Sequence, residues 1–212
     1  MKIAFATDDL LGQSVIEARA EANDGIPAVP RLWVDGRLRW NHPSRTALAC
    51  VLLLDGCISQ SISLDPGCDP AMAAAIRRFL RPRAVQIVSG ATPALPPPPA
   101  SRMAVIGRAR DTDGGFALRL APDTQLRSIV EPDRAVLASN LRTLLKPGQP
   151  EAWLELALAV LYAGNLYIDA IRVDRSDLSW LGPARCLALT EALAEAGIAL
   201  CLGNPGGGEE PR

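Results

Sequence analysis

Four consecutive prolines at residues 96–99, set in the segment ATPALPPPPAS of residues 91–101, limit most strongly what this chain can fold into. Proline lacks a backbone N–H and holds φ near one value. Such a run therefore cannot enter a helix interior or a central strand, and it prefers an extended left-handed helix. It has to lie between structured units, as a stiff connector. The 212 residues then divide into a first half, 1–90, a linker, 91–101, and a second half, 102–203. A tail at 204–212 follows (NPGGGEEPR, without an apolar side chain to anchor it) and is expected to be mobile.

Within each half the hydrophobic pattern alternates between strand and helix. In the first half it predicts a strand at 2–7, a helix at 12–22 and a hairpin at 31–40 turning on Asp35–Gly36. The continuously apolar run 47–54 suits a strand covered on both faces. A helix capped by Asp69 with Pro70 in its first position should end before Pro82, and a strand should follow at 84–89. In the second half strands are expected at 102–107, 116–120, 166–173 and 198–202, and helices at 134–145, 150–163 and 183–196. Alternation of this kind implies an α/β fold, a mostly parallel sheet with helices on its faces, divisible into two small α/β halves.

Charge and cysteine usage restrict the function classes. A net charge of −1 gives no general attraction to nucleic acid or anionic lipid. No apolar run approaches the ~20 residues that span a bilayer. The opening apolar stretch meets Asp8 and Asp9 too soon for a signal peptide. Five cysteines at irregular spacing, with His42 as the single histidine, fit neither a disulfide framework nor a zinc site. Reduced thiols imply the cytoplasm. Every cation except Lys2 and Lys146 is arginine, in a bacterial-like composition rich in Ala, Pro and Gly.

Candidate chemistry lies where strands would leave the sheet. Asp8 and Asp9 follow the first strand, Asp55 the apolar run and Ser89 the strand at 84–89. Were those strands parallel neighbours, the three carboxylates would converge, hold Mg²⁺, and leave Asp55 as a phosphoryl acceptor with Ser89 beside it. The plainer alternative is that these aspartates are helix caps and loop residues. Arg77, Arg78 and Arg81, with Arg83, form RRFLRPR, which can grip an anion or serve as the solvated end of a helix. His42 with Cys57 or Cys68 is a further pairing, weighed against ordinary core and loop positions.

The acidic pair Asp8–Asp9, Asp55 in VLLLDG and Ser89 in QIVSGA resemble, over residues 1–90, a response-regulator receiver domain. The resemblance implies a phosphorylatable Asp55 with Mg²⁺. Two departures stand against it: a hairpin pattern at 30–46, and no lysine after the expected fifth strand. Residues 167–204, with Asp177–Leu178–Ser179 before a helix, resemble the core of a STAS domain, which implies a partner-binding role regulated by phosphorylation. Both point to signalling. The expectation is a non-enzymatic regulatory or protein-binding module that works without a cofactor through a protein partner, with Trp33, Trp40 and Trp180 as contact candidates. The alternatives are a small Mg²⁺-dependent enzyme or phosphoryl-accepting domain using Asp8, Asp9 and Asp55, and a subunit of a larger assembly with helix 150–163 against its neighbour.

Overall fold

The computed structural model describes residues 1–38, 42–65, 67–88, 101–108, 115–122 and 124–203. The linker prolines, the tail, Ser89 and Trp40 lie outside them.

The chain opens with β1 (Lys2–Asp8), β2 (Gln13–Arg19) and β3 (Arg31–Asp35), an antiparallel meander. The helix expected at 12–22 is thus a strand. Ser14, Ile16 and Ala18 alternate inward, and β-branched Val15 and Ile16 suit a pleated surface. β3 pairs with β2, and its last residue is Asp35; the expected return strand of the 31–40 hairpin lies partly outside the described residues.

The run 47–54 belongs to helix α1 (Pro43–Leu54), all twelve residues of which are buried. A wholly apolar stretch suits a helix enclosed on every side as well as a central strand, and Pro43 in the first turn favours the helix. Next come β4 (Ser61–Asp65), α2 (Pro70–Phe79) and β5 (Gln86–Val88). The Asp69 side chain caps α2 by accepting the Met72 N–H at 2.8 Å. Sheet order is β3-β2-β1-β4-β5, with β1, β4 and β5 parallel.

The second half runs β6 (Arg102–Val105), β7 (Phe116–Leu120), β8 (Ile129–Val130), β9 (Arg134–Leu137), α3 (Ala152–Leu166), β10 (Ile168–Asp174), α4 (Arg175–Leu178), α5 (Pro183–Glu195) and β11 (Ala199–Gly203). Its order is β11-β10-β6-β7-β9-β8, parallel except for β8. In place of a helix at 134–145 there is β9 and a 3₁₀ turn at Leu141–Leu144. Ala135 and Leu137 point inward with period two, which the neighbouring parallel β7 enforces. The fold is α/β with two mixed sheets rather than one purely parallel sheet.

No internal repeat is visible in the sequence, yet each half follows the same path. β1, α1, β4, α2, β5 in the first is matched by β6, α3, β10, α5, β11 in the second, each with its three strands parallel. The helical layers face each other: α1 packs on α3 and α2 on α5. A single buried core runs through both halves. At one edge the sheets touch directly. Val34 bridges Ser139, Asp35 N donates to Ala138 O at 2.8 Å, and Trp33 N donates to Asn140 Oδ1 at 2.8 Å.

The start of β1 is pinned by the buried Met1 amine, which donates to Ser61 O at 2.7 Å and pairs with Asp24 at 2.6 Å. Burial alone would raise the Asp24 pKa. The Met1 amine and the N–H groups of Glu21 and Ser59 outweigh it and hold the carboxyl at about 2. A depressed carboxylate stabilises the fold above its unfolded pKa, and that contribution is lost as pH falls through the folded value. Asp24→Asn should therefore be less stable by about 2 kcal/mol at neutral pH. The difference should shrink between pH 4 and pH 2, and urea titrations across that range would measure it. A gap that persists unchanged at pH 2 would contradict this role for Asp24.

Candidate functional site

The expected cluster of carboxylates does not assemble. Asp8 ends β1 and Asp9 begins the turn after it, at the carboxyl edge of the first sheet. Asp55 caps the carboxyl end of α1, and the chain from there feeds the start of β4. Because β4 runs parallel to β1, with Ser63 beside Lys2, Asp55 lies at the opposite edge. The length of β1, about 20 Å at the usual rise, separates it from Asp8. Each aspartate already has a cation. Asp8 pairs with Arg31 at 3.0 Å, Asp9 with Arg37, and Asp55 with both Arg83 and Arg185, the latter at 2.8 Å. Among the described residues no group of His, Cys, Asp and Glu could hold a metal ion. The receiver-like correspondence fails at the same point, since Asp55 ends a helix and the first sheet begins as a meander.

His42 and Cys57 stand at opposite ends of α1, about 18 Å apart along a twelve-residue helix. Cys68 is buried, and burial first, then Asp69, pushes its thiol up to about 11, the reverse of a nucleophile's poise. Of the arginines, Arg78 pairs with Glu191 on α5 at 2.9 Å, and Arg83 is taken up by Asp55 and the carbonyl of Ile58. Arg77 and Arg81 stay exposed at the end of α2, beside a shallow groove shared with Pro82 and Gln86.

Two buried carboxylates in the second half serve the backbone. Glu155 on α3 accepts the N–H of Gly107 at 2.6 Å and of Leu120 at 3.2 Å. Asp177 accepts the N–H of Arg108 at 2.9 Å. Burial raises the Glu155 pKa, while these N–H groups and Arg119 oppose it. Gly107 has φ +62°, and a Cβ there would strike Asp177. The pair thus fixes the exit of β6, the strand from which the second sheet extends to β10 on one side and β7 on the other.

Sequence reasoning missed an exposed apolar group at the corner where the two sheets meet. Asp35, nearly buried, accepts the Ser128 N–H at 2.6 Å and pairs with Arg127 at 3.2 Å, while Gly36 N donates to Gly12 O at 3.2 Å. Two segments are thereby held against the end of β3. One is the β1–β2 turn with Leu10 and Leu11. The other carries Leu126, Ile129 and Val130. These five side chains are 48% to 98% exposed. Around them stand Asp8–Arg31, Asp9–Arg37, Arg127–Asp35 and Glu131–Arg134. The signal in the sequence is Leu10–Leu11 between an acidic pair and a glycine, which becomes legible only once 12–22 is a strand and 8–12 its turn. Trp33 is half-buried and contributes backbone to this corner, while Trp180 packs edge-on against Trp153 elsewhere.

No family model, curated protein or solved structure matches this sequence significantly. Among the described residues no helix is long and apolar enough to cross a membrane.

Proposed function

We propose that the chain is a non-enzymatic protein-binding module of a regulatory kind, and that it meets its partner through the corner formed by Leu10, Leu11, Leu126, Ile129 and Val130. The observation that carries this reading is the presence of five large exposed apolar side chains on two segments held against the end of β3, one by the Asp35 carboxylate through Ser128 and the other by the Gly36 N–H through Gly12 O. Apolar residues scattered singly on a surface need no explanation, whereas a group rimmed by charge marks a contact site. The paired ions around it exclude wrong partners more than they add affinity. Occupation of Asp8, Asp9 and Asp55 by arginine supports a binding role over a metal-dependent one.

The test compares wild-type chain with Leu10→Ser/Leu11→Ser/Ile129→Thr in quantitative affinity capture from the native cell. Exposed positions of this kind change stability by less than about 0.5 kcal/mol each, so the variant should keep its fold. At least one partner recovered by the wild type should fall tenfold or more with the variant. Identical recovery by both proteins would refute this surface as the binding site.

A further inference from the structure

A cavity of about 270 Å³ opens at the other end of α1, between the two halves. Leu52, Leu53 and Trp153 give it an apolar floor, Trp180 an aromatic side, and Lys146 and Gln149 a polar rim. Trp153 is fully buried, and its indole N–H is already spent on Leu52 O at 2.9 Å, so it offers only its ring. Trp180 meets it edge to face, with centroids 5.1 Å apart, and remains 40% exposed.

Lys146 distinguishes this cavity from an ordinary surface cleft. It is one of two lysines in the chain. Its side chain lies across Gly56, where any Cβ would collide with the ammonium group. Among the described residues that ammonium makes neither an ion pair nor a hydrogen bond; Lys146 bonds only through its backbone, whose N–H donates to Gln149 Oε1 and whose carbonyl accepts the Gln149 N–H. The carboxylate at the mouth, Asp55, does not neutralise it, because Asp55 is shared between Arg83 and Arg185. Among the described residues that line this opening, walled by apolar side chains, Lys146 is thus the unpaired cation, and the carboxylate Asp55 is already held by Arg83 and Arg185. Low-dielectric walls of that kind strengthen the field on an anion.

We propose that this cavity binds a small organic anion bearing one ring, with the negative group on Lys146 and the ring against Trp153 and Trp180. The volume falls just below the usual range for ligand pockets and suits a single ring rather than a nucleotide. The site is on the opposite edge of the first sheet from the proposed partner surface and does not depend on it. Carboxylate and phosphate share the required chemistry, and the probes separate them.

The experiment titrates the full chain with benzoate, phenyl phosphate and the neutral benzyl alcohol, following heat and tryptophan fluorescence. One anion or both should bind at least fivefold more tightly than the alcohol and should alter the tryptophan emission. Lys146→Ala should remove the preference, a loss of fivefold or more for the anion with the alcohol unchanged, while Lys146→Arg should keep most of it. The inference is overturned if the anions bind no better than the alcohol. It is also overturned if Lys146→Ala lowers the melting temperature yet leaves anion affinity intact, which would make Lys146 only a cap for the carboxyl end of α1.

Discussion

Replacing Trp153 with alanine should lower the stability of the chain by about 4 kcal/mol, the range for emptying a buried tryptophan site. Its indole lies where three helices and the turn before α5 converge. It stacks on Phe79 of α2 at 6.2 Å, meets Trp180 edge-on, and donates to the Leu52 carbonyl at the end of α1. Truncation leaves both a void and an unpaired buried carbonyl. For a chain of this length the melting temperature should fall by about 10 °C. Trp153→Phe, which keeps most of the ring packing, should lose only about 1–2 kcal/mol. Urea denaturation of the three proteins decides the point, and an alanine variant within 1 kcal/mol of wild type would show that this contact does not join the halves.

Asp55→Ala should be the next most damaging change. The carboxylate is 13% exposed and holds two guanidiniums. Arg83 also donates to the carbonyls of Asp55 and Ile58, and Arg185 lies over the Phe79 ring at 4.7 Å. Without the carboxylate the two cations face each other unscreened. Removing one partner of a fully buried pair costs 3–5 kcal/mol, and partial exposure of both arginines reduces this to about 2–3 kcal/mol. Arg185→Leu in the Asp55→Ala background should recover part of the loss. If the double variant is no more stable than the single, cation repulsion is not the cause.

The elements with strong local signals were legible. Asp69–Pro70 announced α2, the apolar face of 150–163 announced α3, and β6, β7, β10, α5 and β11 fell near their expected positions. The failures share one physical source, which is that local pattern carries no information about neighbours. Residues 47–54 are apolar at every position, so periodicity could not separate a central strand from a helix enclosed by α3. Misreading that run placed Asp55 on the wrong edge and created the carboxylate cluster. Residues 12–22 carry a weak helical face, and β1 imposed extended pairing on them. The corner of exposed leucines depends on Asp35 reaching Ser128, 93 positions away, and Lys146 depends on a packing position over Gly56. Its rarity among so many arginines was visible in the composition, but its place was not.

The enclosure of α1 on every face also has a consequence during synthesis. The helix that covers it, α3, lies about a hundred residues further along, so at ribosomal speeds of 5–20 residues per second roughly ten seconds pass before the cover exists. Throughout that interval a nascent first half presents the side of α1 that α3 will cover, Leu52 included, without its partner. Holding chaperones should engage this chain while it is still attached to the ribosome and release it once residue 166 has emerged.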